Sequence, residues 1–329
     1  MRTVPLRTLA VTAVLLATAA CGGSSDSEEE SAGSSSGFEP VTIETKFGTA
    51  EITEEPTRVV TVGYNEEDYA LALGVVPLGA REFIGYDAPQ RPWAQDALGG
   101  KTVPTVGGQE LDLEKIAGLD PDLILGINSY MDQATYDLLA KIAPTVAQTD
   151  DYADGATPWQ EQTLLTGQAL GKDEEAKDVV ADVEAQFADV IERNPDFAGK
   201  TASFGLGVGA TGSYEIAQDD YRSGWLTDLG FEVPKTGGEI SLESLDELEA
   251  DVVVFEGVEG DVLSSPVARS MPAITENRYI DFGPFDADFA AALGFNSPLS
   301  LQTVLEIAEP RLAAATDGDP ETVPEPYTG

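Results

Sequence analysis

The 329-residue chain has no histidine, one cysteine and few basic side chains: 18 Lys and Arg stand against 59 Asp and Glu, a net charge of −41 at pH 7. Each shortage closes off some chemistry. Without His there is no Ser-His-Asp or Cys-His nucleophile, and zinc or haem held by imidazole is disfavoured. One Cys allows no intrachain disulfide. So acidic a surface argues against nucleic acid, whose phosphates call for a basic face, and against acidic lipid. No apolar run approaches the ~20 residues that a bilayer core demands. Neither Gly100-Lys101-Thr102 nor Gly199-Lys200-Thr201 has the upstream glycine of a phosphate-binding loop. The stretch Gly207-Val208-Gly209-Ala210-Thr211-Gly212 fits the dinucleotide pattern after a strand, but Ser213 to Tyr221 reads as loop where a helix should open. Paired carboxylates abound, as they must in so acidic a chain, and no pattern singles out a pair for glycoside hydrolysis.

What is present begins at the N-terminus. Residues 1–20 carry Arg2 and Arg7 and no acid, run apolar or small from Leu9 to Ala20, and end at Ala19-Ala20 before Cys21. A basic start, a short apolar run and small residues at its end describe a secretion signal. Gly22 to Gly37 is almost wholly Gly, Ser, Asp and Glu. Such a segment cannot bury apolar surface, so residues 21–38 read as a disordered tether. The leader resembles a bacterial lipoprotein signal, with Thr18 where Leu is usual. That resemblance implies a lipid on Cys21 and a place on the extracytoplasmic face of the cell membrane, held by the lipid anchor only. An ordinary cleaved signal with an incidental cysteine is the alternative.

The body repeats itself. Leu113 to Leu125 recurs as Leu242 to Val254, each reading as a short helix, an Asp, and a buried strand of branched residues. Leu73-Gly74 and Leu229-Gly230 each close a helical stretch, with Gly suited to the left-handed residue after it. A strand precedes each, Arg58 to Val62 and Thr201 to Val208. Helices alternating with strands imply a parallel sheet covered by helices. Between the halves, residues 159–193 carry apolar residues at helical spacing and read as one long helix, bent or broken near Gly171. The fold class is therefore α/β. Two similar lobes, residues 39–158 and 194–315, each hold a mainly parallel sheet flanked by helices. The linker helix joins them, a ligand cleft lies between, and residues 316–329 form an acidic, Pro-rich tail.

Pro56-Thr57-Arg58-Val59-Val60, Asp68 to Gly79, Leu113 to Leu125, Ile142 to Val146, Leu242 to Val254 and Asn296 to Leu301 resemble the solute-binding proteins of ABC importers, in the helix-linked class that carries ferric siderophores, haem and cobalamin. The resemblance spans roughly residues 40 to 315 and implies a binding protein that is not an enzyme. Its ligand is an iron(III)-siderophore, its partners are an ABC permease and its ATPase, and the receptor is a monomer. No cofactor is implied, since iron arrives inside its chelator. Cobalamin or haem within the class, an exported carboxylate-dependent hydrolase and a cell-wall interaction protein are the other readings.

A siderophore site calls for aromatic walls and a few hydrogen-bond donors. Residues just beyond strand ends supply them: Tyr64, Arg81, Tyr86, Arg91, Trp93 and Tyr130 in the first lobe, Tyr214, Tyr221, Arg222, Trp225 and Phe285 in the second. Arg matches planar oxygen groups through its forked donors. The resemblance favours Arg91 and Tyr130 as ligand contacts. Each Arg can equally be a surface ion pair, and Trp225, beside Leu226 and Leu229, can be core. The family also places a carboxylate on each lobe to meet the permease; the matching positions are Asp68 with adjacent Glu67, and Asp228. Acids at a helix N-terminus are favoured in any case.

Mass spectrometry of the mature chain is expected to show an N-terminus at lipid-modified Cys21. An N-terminus there that carries no lipid, or cleavage at another residue, would refute the anchor.

Overall fold

The computed structural model describes residues 38–83 and 85–329; the signal, Cys21 and the tether up to Gly37 lie outside the described residues. An antiparallel hairpin of β1 (Val41–Thr45) and β2 (Gly48–Ile52) opens the first lobe. There follow β3 (Val59–Thr61), α1 (Glu66–Ala72), the single turn α2 (Gln95–Leu98), α3 (Leu113–Gly118), β4 (Leu123–Gly126), α4 (Gln133–Leu139) and β5 (Thr145–Ala147). Strands β3, β4 and β5 are parallel, and bridges from Val60 to Gly79 and from Ala80 to Thr105 widen the sheet on the β3 side. Each of the three is buried along its length, as expected of parallel strands covered on both faces.

The second half runs through α5 (Trp159–Leu170), α6 (Asp173–Arg193), β6 (Ala202–Gly209), β7 (Gly212–Glu215), α7 (Gly224–Asp228), β8 (Gly238–Ile240), β9 (Val252–Glu256), α8 (Pro272–Thr275), β10 (Tyr279–Asp281), α9 (Asp288–Phe295) and α10 (Pro298–Thr316). Its sheet order is β10-β9-β6-β7-β8, parallel across the first three strands and antiparallel beyond. Strand β7 takes Ser213 to Glu215 of the segment expected to be loop, and Ile216 to Asp220 is irregular. Gly209 pairs with Gly212 across the hairpin turn, so the glycine motif joins two strands and offers no helix N-terminus to a pyrophosphate.

The internal repeat has a chemical basis. The Asp122 carboxylate accepts from Thr57 N and Oγ1 and from Arg58 N at the start of β3. Asp251, at the matching place, accepts from Thr201 N and Oγ1 at the start of β6. In both lobes the Asp before one strand pins the first residues of its neighbour. Gly74 and Gly230, at φ of 75° and 93°, end the two helices as the sequence predicts.

The segment 159–193 is two helices. Gly171, at φ 68°, closes α5 in the left-handed region. The helices approach so closely that a Cβ at Gly167 would lie 2.3 Å from that of Ala176. Helix α6 spans both lobes: Ala176 and Val179 pack with Val59 and Leu123, while Val183, Phe187 and Val190 join Phe204 and Val252, and Trp159 at the start of α5 reaches the second core as well. One further boundary moves. Phe38, assigned to the tether, packs on the first-lobe core. The tail is held against the second lobe: the Tyr327 hydroxyl accepts from Phe289 N, and its ring meets Phe282 and Phe289.

A seam fastens the lobes together beside α1. Asp68, expected at the surface to meet a permease, is fully buried. Its carboxylate accepts from Arg91 Nε at 2.7 Å, Trp93 Nε1 at 2.7 Å and Ser297 Oγ at 2.9 Å. Arg91, expected to touch ligand, is 1% exposed and belongs to this pair. Tyr69 donates to the Asn296 carbonyl, and Asn65 to that of Phe295. Asn296 reaches this position at φ 43°, the left-handed conformation that Asn tolerates. Tyr86 and Trp93, also expected in the cleft, stack on each other 6.0 Å apart here, with Tyr86 donating to Asp288 across the lobes.

Asp68→Ala leaves Arg91 buried without its main partner and is expected to cost about 3–5 kcal/mol. Urea unfolding measures it, and a loss below about 1 kcal/mol would contradict the seam.

Candidate functional site

The carboxyl ends of parallel strands are where α/β sheets hold ligands, and both lobes place their Tyr and Arg residues there. In the first lobe Tyr64 follows β3 and Tyr130 follows β4. The Arg81 guanidinium lies over the Tyr64 ring, 3.9 Å from its centroid, and donates to Tyr64 Oη at 2.8 Å. Tyr130 meets Tyr64 edge to face at 6.1 Å. Its φ of 53° is rare for an aromatic residue and strained. The strained turn holds the side chain out, and it is 54% exposed.

The second lobe answers with the same pairing. Arg222 lies 5.8 Å from the Tyr221 ring centroid and gives Nε and Nη2 to the two oxygens of Asp220. A cavity of about 410 Å³ lies between these walls, lined by Tyr130 and Ala153–Ala156 on one side and by Tyr214, Ala217 and Asp219 to Arg222 on the other. A second, of about 420 Å³, adjoins it at Tyr130 and contains Arg81, Gln109, Leu111 and Ser129. Phe285 stands half exposed at the rim, its ring over Gly257 so closely that a Cβ there would lie 2.4 Å away.

Behind each Tyr–Arg pair lies a buried acid that sequence reasoning missed. Glu66, at the start of α1, accepts from Asn128 N and Asn65 N. Burial pushes its carboxyl up to about 7, though those bonds and the Arg81 charge oppose the shift. Glu256 ends β9 at 5% exposure, also pushed up to about 7 by burial against the pull of Arg222. Its Oε2 has no hydrogen-bond partner among the described residues. A signal existed for Glu256: four apolar residues, Val252 to Phe255, run straight into a charge at the strand end. For Glu66, one of three consecutive acids from Glu66 to Asp68, none existed.

Of the expected ligand residues, the structure gathers Tyr64, Arg81, Tyr130, Tyr214, Tyr221, Arg222 and Phe285 around the cleft. It diverts four. Tyr86, Arg91 and Trp93 serve the seam, and Trp225, 1% exposed, packs edge-on to Phe282 and Phe289 in the second-lobe core. The expected docking acids fare differently from a free surface pair. Asp68 is buried, Glu67 lies 3.2 Å from Arg91, and Asp228 accepts from the Trp159 indole at 3.3 Å.

A family described as periplasmic binding protein matches residues 71–284. The chain is 31% identical over 231 residues to a probable siderophore-binding lipoprotein, YfiY, of Bacillus subtilis (strain 168), covering 65% of this chain and 68% of that one. It superposes on a periplasmic solute binding protein from Mycobacterium smegmatis with a TM-score of 0.74 and 33% identity, covering 84% of this chain and 99% of that one. The iron-uptake substrate-binding protein PiaA of Streptococcus pneumoniae, in complex with ferrichrome, gives 0.70 at 25% identity, covering 84% and 98%.

Between pH 4.5 and 7 the unfolded chain has released the Glu66 proton and the folded chain still holds it, so this group lowers stability as pH rises through that window. Glu66→Gln should remove the loss, gaining roughly 3 kcal/mol on the wild type between pH 5 and 8. Denaturant titrations at the two pH values measure it. A difference independent of pH would show that Glu66 ionises normally.

Proposed function

The chain belongs to the periplasmic binding protein family, and from that premise we propose that it is the extracytoplasmic receptor of an ABC importer, binding an iron(III)-siderophore between its lobes and delivering it to the permease. The observation that carries this reading is the pair of Tyr–Arg platforms, Tyr64–Arg81 and Tyr221–Arg222, at two adjoining cavities that share Tyr130. Iron is cargo, already coordinated by its chelator. Such a complex asks of its receptor ring faces, phenolic hydroxyls and shelter from water, and no reacting group. A binding role without catalysis suits that need. Lipid attachment at Cys21 would keep the receptor near its permease, since a second acyl chain makes anchoring stable.

The match to siderophore-binding relatives supports this cargo over cobalamin, haem or a hydrolysed substrate. A carboxylate hydrolase would need two acids facing a substrate. Of the acids lining the inter-lobe cavity, Asp154 is paired with Lys46 and Asp220 with Arg222, which leaves Asp219 alone among the described residues.

Calorimetry tests the proposal better than tryptophan emission. Trp93 and Trp159 take part in polar contacts away from the cleft lining, and Trp225 is core. At least one ferric hydroxamate, catecholate or hydroxycarboxylate is expected to bind at micromolar concentration or below. Tyr130→Ala and Tyr221→Ala should each weaken it tenfold or more, about 1.4 kcal/mol. Heat from haem or cobalamin alone, or from none of these, would overturn the cargo.

A further inference from the structure

The charge of the ferric complex can be read from what the cleft has left to offer. Two guanidinium groups reach it, and both are committed. Arg81 gives Nε to the Gly108 carbonyl, Nη1 to that of Ser129, and Nη2 to Tyr64 Oη and the Gln109 carbonyl. Arg222 is bidentate to Asp220 at 2.9 and 2.7 Å. No lysine lines either cavity among the described residues. Lys46, the cation next to that wall, is paired with Asp154 at 2.6 Å.

The acids are not matched in the same way. Glu256 sits at the carboxyl end of β9, the end that faces ligands, beside Arg222 and Tyr221. It forms no ion pair within 4.0 Å among the described residues, and one of its oxygens lacks any partner. Asp219 lines the same cavity, exposed. Arg222 is neutralised by Asp220 and the Arg81 charge is faced by Glu66 behind it, so Glu256 and Asp219 are the charges left over. An anionic ligand would have to draw Arg222 from Asp220 or settle against an uncompensated carboxylate, and in a partly dry cleft that repulsion is stronger than in water.

Ferric chelates differ in charge by class. Three hydroxamates, each singly negative, cancel the three charges of iron(III). Three catecholates, each doubly negative, leave three negative charges over. We propose that the cleft selects ferric complexes of zero or positive charge, the tris-hydroxamate class, and that Glu256 is the specificity-determining residue that turns tris-catecholates away. The inference rests on the receptor reading above, and it explains why the chain would tolerate a buried carboxylate with an unpaired oxygen: exclusion of a wrong partner often costs stability.

The test is calorimetry at pH 8 on the mature chain with three probes: a neutral cyclic ferric trihydroxamate, a linear ferric trihydroxamate carrying a terminal ammonium, and a ferric tris-catecholate. Both hydroxamates are expected to bind at least 100-fold more tightly than the catecholate. Glu256→Gln, of the same shape, should narrow that ratio at least tenfold, which a purely structural role would not do. A catecholate bound as tightly as the hydroxamates, or a ratio unchanged by the substitution, overturns this inference and leaves the receptor reading intact. Absence of binding by all three overturns this inference, and it overturns the receptor reading as well if a ferric hydroxycarboxylate also gives no heat. The wild-type panel decides the selectivity even if the variant fails to fold.

Discussion

The Asp68 carboxylate gathers donors from places far apart in the chain, and the cleft is built outward from it. Arg91 lies 23 residues away and Ser297 lies 229 residues away, on the far lobe. A carboxylate and a guanidinium withdrawn from water hold their charges only while geometry and additional hydrogen bonds compensate for lost solvation. Trp93 and Ser297 supply those bonds. The cluster fixes α1 against the turn before α10, with Tyr69 and Asn65 bonded to the backbone of that turn. The start of α1 in turn places Glu66, whose carboxylate receives the Asn128 amide and holds the loop after β4. Gly63 makes this possible, since a Cβ there would lie 1.8 Å from Glu66 Oε2. Tyr64 and Tyr130 hang on those two loops. The first wall of the cleft is thus a consequence of the seam.

The same geometry explains what was legible in the sequence. The doubled helix–strand unit could be read because its constraint is local: Asp122 and Asp251 each bond the start of an adjacent strand, and burial on both faces demands runs such as Val252 to Phe255. Gly74 and Gly230 could be read for a similar reason, the left-handed turn after a helix. Asp68 could not. An acid in the first turn of a helix has the same local pattern whether it faces water or a partner on another lobe, and nothing near it in sequence announces Ser297. Arg81 and Arg91 illustrate the limit from the other side. Both follow the early strands of one lobe, but Arg81 meets Tyr64 and carbonyls at the cleft, while Arg91 meets a buried acid. The break at Gly171 was visible as a glycine; that α5 folds back along α6 depends on the contact of Gly167 with Ala176, which pattern alone does not show.

These contacts bear on how the cleft can move. The two ends of α6 are embedded in different cores, so the helix transmits rotation between lobes instead of absorbing it. A wide hinge opening would have to separate Asp68 from Ser297 and Tyr69 from Asn296, exposing a buried ion pair on the way. The groups free to adjust are the ones the seam does not hold: the strained turn at Tyr130, the Ala153–Ala156 loop that faces it, and the exposed rings of Tyr214 and Phe285. Side-chain and loop rearrangement around a nearly fixed pair of lobes follows from this distribution of contacts.

Charge completes the picture. Basic residues are so few that most of the described arginines have a definite structural duty: Arg58 bonds the carbonyls of Leu119 and Asp120, Arg91 pairs with Asp68, Arg193 with Glu309, Arg222 with Asp220, and Arg278 with Glu249 and Glu276. The excess of acid is therefore borne by the surface and by the cleft alike. A chain of net charge −41 repels anions at long range and is attracted to basic surfaces, an effect that salt confines to about 8–10 Å. The permease proposed above is therefore expected to present a basic face, and would have acids over much of the molecule to meet. Docking then need not depend on one carboxylate per lobe, which is consistent with Asp68 being free to serve the interior.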